Sequence, residues 1–364
     1  MKQSADIRLP MLIRSANWLN AQGNRIGLPM INLSEASLMA SARKATGLDD
    51  FGDEDFLTPM RILLRAYEEE AALSFLGRTI LRTETVQALS NRLLVQEELK
   101  RHPEILDVPV TRPIFIVSFP RTGTTMLHNL FVQHPQTRVP RTWELRRPAP
   151  APDPATDHSD VRIDLTRKEL AYLFRLIPVF RALHPMTATG ADECFYLFQN
   201  AFASPVLSVQ AHVPNYLAWF MQADFVPIYR YYRTMLQLMQ WKYPGTYWVL
   251  KCPFHLFALD ALLEVFPDAC VIQTHRDPWK VIASSCSVYE VTRLMFTESP
   301  DPIAIGKQWL TEWGTAIQRM LQVRARANPD RFYDVHYRDL VADPIKTMKE
   351  IHAHFDLSFD DATV

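Results

Sequence analysis

The feature that most constrains the fold is a short apolar run followed by a turn that contains glycine and threonine, in the segment P-I-F-I-V-S-F-P-R-T-G-T-T-M-L-H-N that starts at Pro113. Ile114–Val117 is β-branched and aromatic and lies between two prolines, which predicts a buried parallel strand. The turn covers Phe119–Thr125, in which Gly123 can adopt a positive φ. A helix predicted from Met126 then offers unpaired backbone amides and the positive end of its dipole, so the segment predicts an anion site.

This loop differs from the usual loop that binds nucleoside triphosphates. That loop reads G-x-x-x-x-G-K-[ST], and its lysine reaches the outer phosphates. Here Thr124 follows Gly123 directly, no lysine follows, and the basic residue Arg121 precedes the glycine. The difference argues against ATP hydrolysis, although a kinase-type loop stays an alternative. A helix that is only capped by threonine, without a ligand, is the second alternative.

Further strand-then-helix units predict the fold class, an α/β protein with a parallel sheet flanked by helices. A short strand is also predicted at residues 137–139. The other predicted strands are Tyr247–Lys251, Cys270–Thr274 and Phe332–Val335. Ligands of such folds bind at the carboxyl ends of the strands, where Phe119, Lys251 and His275 all lie. We therefore expect these positions to converge.

Helical patterns surround this core. Residues 1–112 are expected to form an N-terminal helical region, because apolar residues recur there at helical spacing. One helix, capped by Ser34 or Ser37, should end near Gly47, and another should run from about Thr83 to Lys100. The α/β core covers residues 113–364 and includes a helical insertion, or lid, at about 155–245, which is reached through the proline-rich segment Pro148–Pro154. The insertion is dense in aromatic residues, which predicts an apolar pocket; ordinary core packing is the alternative.

Composition limits the compartment and the partners. The chain of 364 residues has 39 basic and 40 acidic residues, so no global field favours nucleic acid or an anionic membrane. No stretch approaches the roughly 20 apolar residues of a membrane span, and the first residues lack the apolar region of a secretory signal. The cysteines form no C-x-x-C pair and are interpreted as buried, reduced thiols without a function. We expect a cytoplasmic protein without a nucleic-acid partner or an integral membrane segment, and a homo-oligomer is compatible with the sequence.

Taken together, the motifs resemble sulfotransferases that use 3′-phosphoadenosine 5′-phosphosulfate (PAPS). F-P-R-T-G-T-T resembles the loop that binds the 5′-phosphosulfate, while W-V-L-K-C-P-F-H-L, F-P-D-A and V-I-Q-T-H-R-D-P resemble the second half of the family. The resemblance covers about residues 113–345 and is greatest to the bacterial, broad-specificity branch. It implies a P-loop-like nucleotide-binding core.

The resemblance also implies which residues bind the co-substrate. Arg276 and Ser284 match the positions that bind the 3′-phosphate of the nucleotide. The loop residues that it assigns to the co-substrate are Arg121, Thr122, Gly123, Thr124 and Thr125. Two features depart from the steroid and phenol enzymes of the family: Met126 replaces a tryptophan that stacks on adenine, and no late glycine-rich R-K-G loop is found before Val364.

Sulfuryl transfer to a hydroxyl is an in-line displacement which, by analogy with phosphoryl transfer, depends on positioning and charge. The resemblance implies that Arg121 and Lys251 stabilise the developing charge. No metal is required, since the leaving group is a nucleotide phosphate and the sequence offers no H-E-x-x-H pattern or similar ligand cluster.

Three candidates could take the acceptor proton. His255 follows the strand-end residue Lys251, and in the steroid and phenol enzymes a catalytic histidine likewise follows a strand-end lysine. Glu144 is the rival, because tyrosylprotein and heparan-type enzymes have a catalytic glutamate at a similar distance after the loop. The acidic pair Asp192 and Glu193 in the insertion is third, since carboxylates at a helix start commonly serve as dipole partners.

The predicted function is therefore sulfuryl transfer from PAPS to a hydroxyl of a small, largely apolar acceptor, with release of adenosine 3′,5′-bisphosphate. The acceptor classes that fit are phenols, sterols, lipids and polyketide-type alcohols. A P-loop small-molecule kinase and a non-catalytic carrier of an apolar ligand on the same fold remain the alternatives.

Overall fold

The structure is a computed structural model, and it describes residues 15–18, 22, 30–243 and 247–359. The beginning of the predicted N-terminal region, the predicted absence of a secretory signal there and the end of the core up to Val364 lie outside the described residues.

A five-stranded parallel sheet forms the centre of the fold. Its strands are β1 (Ile114–Val117), β2 (Thr137–Arg138), β3 (Tyr247–Lys251), β4 (Cys270–His275) and β5 (Phe332–His336). The strand order is β2-β3-β1-β4-β5, and every neighbouring pair is parallel. The predicted α/β class with a P-loop-like arrangement is confirmed. β1 lies between β3 and β4, so the carboxyl ends of these three strands adjoin, as the sequence predicted.

Helices cover the sheet and extend beyond it. Before the sheet and around the loop they are α1 (Glu35–Thr46), α2 (Leu57–Glu69), α3 (Phe75–Arg101), α4 (Thr124–Val132) and α5 (Thr142–Arg146). In the insertion they are α6 (Val161–Leu176), α7 (Phe180–Leu183), α8 (Phe195–Gln199), α9 (Val206–Gln210), α10 (Pro214–Phe220) and α11 (Val226–Gln240). In the second half they are α12 (Leu259–Val265), α13 (Pro278–Arg293), α14 (Pro302–Arg324), α15 (Tyr337–Ala342) and α16 (Pro344–His354). Short 3₁₀ helices cover Glu54–Phe56, Pro103–Asp107, Pro253–Ala258 and Pro329–Arg331.

Local capping explains where the N-terminal helices begin and end. The Ser34 hydroxyl accepts the backbone N–H of Ser37 at the start of α1, and Gly47 ends that helix with a φ of 72°. Both limits agree with the sequence prediction. The start predicted for α3, near Thr83, is wrong: the helix begins at Phe75, because Ser74 caps it by accepting the N–H of Gly77.

The insertion shares its hydrophobic core with its neighbours on both sides. Its residues Leu207 and Tyr216 pack in one cluster with Met60 and Leu89 of the N-terminal helices. A second cluster joins α8 and α11 to the sheet and to the tryptophans of α14. Much of the aromatic content of the insertion is therefore core. None of the described helices combines the length and the apolar character that crossing a bilayer requires.

Candidate active site

The loop between β1 and α4 has the backbone of an anion site. Arg121 and Gly123 adopt positive φ values of 68° and 93°. A Cβ atom at Gly123 would lie 2.9 Å from Cδ2 of Tyr337, so only glycine fits there. α4 begins at Thr124, and its N-cap Gly123 leaves it without a side-chain cap. The alternative of a threonine-capped helix is thus wrong, and the first amides of α4 have no intrahelical partner.

Thr122 ties this loop to the sheet. Its buried hydroxyl donates to the carbonyl oxygen of Phe119 at 2.7 Å and lies 2.7 Å from the hydroxyl of Thr274, in β4. The Ser118 hydroxyl donates to the carbonyl oxygen of Thr274 and lies 3.0 Å from that of Thr122. The Thr122 hydroxyl, which the resemblance assigns to the co-substrate, therefore has its hydrogen-bond partners within the protein. It positions the loop.

Three predicted nucleotide-binding residues meet beside the loop. The Nε atom of Arg121 donates to Oγ of Ser284 at 3.1 Å, and Arg276 donates to the carbonyl oxygen of Arg121 at 2.8 Å. The Arg276 guanidinium also lies over the ring of Tyr337, 4.2 Å from its centroid. Arg121 donates further to the carbonyl oxygen of Leu183, at the end of α7. Two guanidinium groups and a hydroxyl, from two distant segments of the chain, thus lie together beside the loop.

Lys251 joins the loop to the insertion. The side chain is 2% exposed, and its Nζ atom donates to Oγ1 of Thr125 at 3.3 Å. The same atom lies 3.0 Å from Oε1 of Glu193, whose side chain is 16% exposed. The backbone N–H of Cys194 donates to the carbonyl oxygen of Lys251 at 3.0 Å, which fixes the two segments side by side. The sequence ranked the pair Asp192 and Glu193 last, because carboxylates at a helix start commonly serve as dipole partners, and nothing in the sequence connects Glu193 to Lys251.

His255, the first predicted base, lies in the core. It is fully buried; its Nδ1 is 2.7 Å from the hydroxyl of Tyr229, and its Nε2 is 3.4 Å from Sγ of Cys194. The ring of Phe115 meets it edge-on, with 5.0 Å between centroids. Both ring nitrogens therefore have protein partners.

Glu144, the second predicted base, is also fully buried. Its carboxylate accepts hydrogen bonds from Arg138 and Arg141, the latter at 2.7 Å, and from the backbone N–H of Arg141 at 2.9 Å. Burial raises the pKa of this carboxyl, but the two arginines lower the pKa by more than burial raises it. The net shift is therefore downward. The arrangement is that of a buried ion-pair network at the start of α5.

Asp192 supports the neighbouring Glu193. Its buried carboxylate accepts the backbone N–H of Glu193 at 2.7 Å and the hydroxyl of Thr142 at 3.2 Å. His184 lies 3.3 Å away. Burial raises the pKa of Asp192, but His184 lowers it more; burial lowers the pKa of His184, but Asp192 raises it more. The two groups therefore favour each other's charged form.

Two cavities lie away from the loop. One of about 50 Å³ lies between α3 and the insertion, and Tyr196, three residues after Glu193, lines it together with Glu84 and Arg146. The other, of about 760 Å³, lies between α12 and the end of α14. Neither is lined by a residue of the loop, so neither is the anion site itself.

Comparison with known proteins gives a consistent result. Residues 113–361 match a family model described as "Sulfotransferase family". Omega-hydroxy-beta-dihydromenaquinone-9 sulfotransferase Stf3 of Mycobacterium tuberculosis is 27% identical over 256 residues, a match that covers 67% of this chain and 63% of that protein. Protein-tyrosine sulfotransferase 1 of Danio rerio is 24% identical over 258 residues, 71% of this chain and 56% of the relative. The chain thus spans less than two thirds of the length of these curated relatives.

Solved structures match over more of the chain. The crystal structure of sulfotransferase STF1 from Mycobacterium tuberculosis has a TM-score of 0.84 and 36% identity, and the match covers 91% of both chains. That of STF9 from Mycobacterium avium also has a TM-score of 0.84, with 28% identity, and the match covers 91% of this chain and 86% of the other.

Proposed function

The chain belongs to the sulfotransferase family, and we propose that it transfers the sulfuryl group of PAPS to a hydroxyl of a small, largely apolar acceptor. One observation carries the proposal: the anion loop, the cations Arg121 and Arg276, and the Lys251–Glu193 pair all lie at the joined carboxyl ends of β1, β3 and β4. This is the combination of anion binding and proton transfer that the reaction needs. Family membership leaves the kinase and carrier alternatives without support.

In this proposal the nucleotide lies along the loop. The free amides at the start of α4 and the Arg121 side chain bind the 5′-phosphosulfate, because a helix N-terminus attracts anions. Arg276, held by Tyr337, and Ser284 bind the 3′-phosphate. Thr125 is exposed and its hydroxyl already contacts Lys251, so it joins the phosphosulfate to the catalytic lysine.

We propose Glu193, rather than His255 or Glu144, as the general base. Of these three side chains, only Glu193 has exposed surface, 16% against 0% for Glu144, and the other two are already engaged with protein groups. Asp192 fixes the backbone of Glu193, and Lys251 fixes its carboxylate. A base must reach the proton that it removes, which the core position of His255 does not allow.

The transfer then needs one displacement. The acceptor oxygen forms a bond to sulfur while the bond from sulfur to the 5′-phosphate oxygen breaks, and the acceptor proton moves to Glu193. Lys251 and Arg121 stabilise the negative charge that develops on the leaving oxygen and on the sulfonate oxygens. The products are the sulfate ester and adenosine 3′,5′-bisphosphate, and none of these steps requires a metal ion.

The acceptor that we propose is a lipid-type alcohol. Phe195 and Tyr196 come two and three residues after Glu193, and their half-buried rings stack with 4.1 Å between centroids. Such a surface beside the base favours an apolar acceptor. Stf3, whose name specifies a hydroxylated menaquinone, is a relative that points the same way.

Nucleotide binding and transfer test the proposal in one series. At a hundredfold excess over its dissociation constant, adenosine 3′,5′-bisphosphate should stabilise the protein by about 2.7 kcal/mol without magnesium, measured as a thermal shift. AMP at the same concentration should give a much smaller shift. Incubation with radiolabelled PAPS and a panel of phenols, sterols and lipid alcohols should then move the label to an acceptor. Equal shifts with AMP and the bisphosphate would contradict the proposal.

A further inference from the structure

A group of two thiols and an imidazole lies directly behind Lys251. Cys194, Cys252 and His255 are all fully buried, and one ligand atom from each lies within 4.8 Å of the others. Among the residues that the structure describes, no second group of three or more histidine, cysteine or acidic side chains is arranged in this way. The proposed transfer reaction uses none of these three side chains.

The spacing of these atoms suits a tetrahedral metal ion. Sγ of Cys194 lies 3.4 Å from Nε2 of His255. A zinc ion with bonds of about 2.3 Å to sulfur and about 2.0 Å to nitrogen separates two such ligands by about 3.5 Å at the tetrahedral angle. Cys252 and His255 form a C-x-x-H pair at the 3₁₀ helix Pro253–Ala258, so they share one turn. The third ligand, Cys194, comes from the insertion.

Two tyrosines complete the surroundings. The Tyr229 hydroxyl lies 2.7 Å from Nδ1 of His255, an outer contact that is typical of histidine ligands because it leaves Nε2 free to bind the metal. The Tyr232 hydroxyl is fully buried beside Cys194, and its contact with the thiol falls short of good hydrogen-bond geometry. A metal–oxygen bond would satisfy this buried oxygen.

We propose that Cys194, Cys252 and His255 bind a structural Zn²⁺ ion, with the oxygen of Tyr232 as a candidate for the fourth ligand. Two thiolates neutralise the charge of the ion, which a buried site requires. Binding releases the thiol protons to solvent and involves no oxidation.

The position of the ion gives it a defined structural role. Cys194 directly follows Glu193, and Cys252 directly follows Lys251. The ion would therefore link the segment that carries the proposed base to the strand end that carries the proposed catalytic lysine. It lies in the core and does not touch substrate, so it is compatible with a transfer reaction that needs no metal.

Metal content of the full-length protein tests this inference independently of activity. The protein would be produced in zinc-supplemented medium, purified without chelators, and analysed by plasma mass spectrometry. We expect about one zinc per chain, and X-ray absorption should show sulfur neighbours at about 2.3 Å together with nitrogen or oxygen neighbours at about 2.0 Å. Cys194→Ser and Cys252→Ser should lose the zinc. Cys270→Ser, which changes a buried thiol in β4 outside the group, should keep it.

Two outcomes would overturn the inference. The first is that the wild-type protein contains no more zinc than the Cys194→Ser variant. This result would be decisive even if the Cys252→Ser variant did not fold. The second is a disulfide between Cys194 and Cys252. Thiol titration of the denatured, metal-free wild type should give four thiols, the number of cysteines in the sequence; two thiols in the wild type, together with one thiol in the Cys270→Ser variant, would show the disulfide instead.

Discussion

The nucleotide side and the acceptor side of the candidate active site are built in different ways. On the nucleotide side, the anion site consists of free backbone amides and of side chains that are exposed or half-buried, such as Arg121, Thr125 and Arg276. On the acceptor side, Lys251 and Glu193 form an ion pair that is nearly removed from water. Charges interact more strongly in such an environment than in water, and an unpaired charge there costs more free energy. Changes on the nucleotide side should therefore act mainly on affinity, except at Arg121, which also stabilises the developing charge, and changes on the acceptor side should act on turnover.

The largest expected effect tests the acceptor side. Glu193→Gln should lower turnover by about 100- to 10,000-fold, the usual range for loss of a general base, because glutamine cannot accept the acceptor proton. Binding of adenosine 3′,5′-bisphosphate should stay near that of the wild type. Steady-state kinetics and thermal shifts measure the two quantities on the same preparation. A phenolic acceptor of low pKa, which arrives partly ionised, should recover part of the lost rate.

His255→Asn and Glu144→Gln are the matched variants for this test. Both change a buried side chain, so each is first compared with the wild type by thermal unfolding. If His255→Asn folds and abolishes transfer while Glu193→Gln keeps a substantial rate, the base is His255. The same result for Glu144→Gln would select that carboxylate.

The second effect belongs to the nucleotide side. Arg276→Ala should weaken the binding of adenosine 3′,5′-bisphosphate by about 10- to 100-fold, because a hydrogen bond to a charged group contributes about 1.5–3 kcal/mol. Turnover at saturating PAPS and affinity for AMP should change little. Calorimetry with both nucleotides measures the difference, and Arg167→Ala, which removes an exposed arginine of α6, is the control. Unchanged affinity for the bisphosphate would place the 3′-phosphate elsewhere.

The same division explains what the sequence could predict. The loop and the limits of β1 and β3 follow from local signals: β-branched runs, a glycine at a positive φ, and strand ends in a parallel sheet. Each of these depends on a few consecutive residues or on a topology rule. Arg276 and Ser284, which contact Arg121, were pointed out by the resemblance to the family and not by a local signal.

The acceptor side depends instead on burial, which consecutive residues do not reveal. His255 follows a strand-end lysine as expected, yet the rings of Phe115 and Tyr229 enclose it. Glu193 contacts Lys251 only because the insertion folds back onto β3. The start of α3 was missed for a similar reason, since Gly77 lies against the backbone of Phe296. Packing between distant segments decides these features.

The smallest expected effect concerns His184 and the Asp192 carboxylate, which holds the backbone of Glu193. The Asp192 carboxylate raises the pKa of His184 above its ordinary 6.5, while His184 lowers that of Asp192 below 3.8. A raised histidine pKa contributes stability that is complete below pH 6.5 and is lost as the pH rises through the folded pKa, which lies above 6.5. The contribution of Asp192 is present above pH 3.8 and is lost only in more acidic solution.

We therefore expect His184→Gln to destabilise the protein by about 1 kcal/mol near pH 6, since a paired charge at a partly buried site is worth about that much, and the difference should shrink towards pH 8.5. Thermal unfolding of wild type and variant across this range measures the difference at each pH. His158→Gln, which makes the same substitution at an exposed histidine, should give no such trend. A difference that stays constant from pH 6 to 8.5 would mean that folding leaves the pKa of His184 unchanged. The Asp192 carboxylate would then be held by Thr142 and the amide of Glu193, without a contribution from the charge of His184.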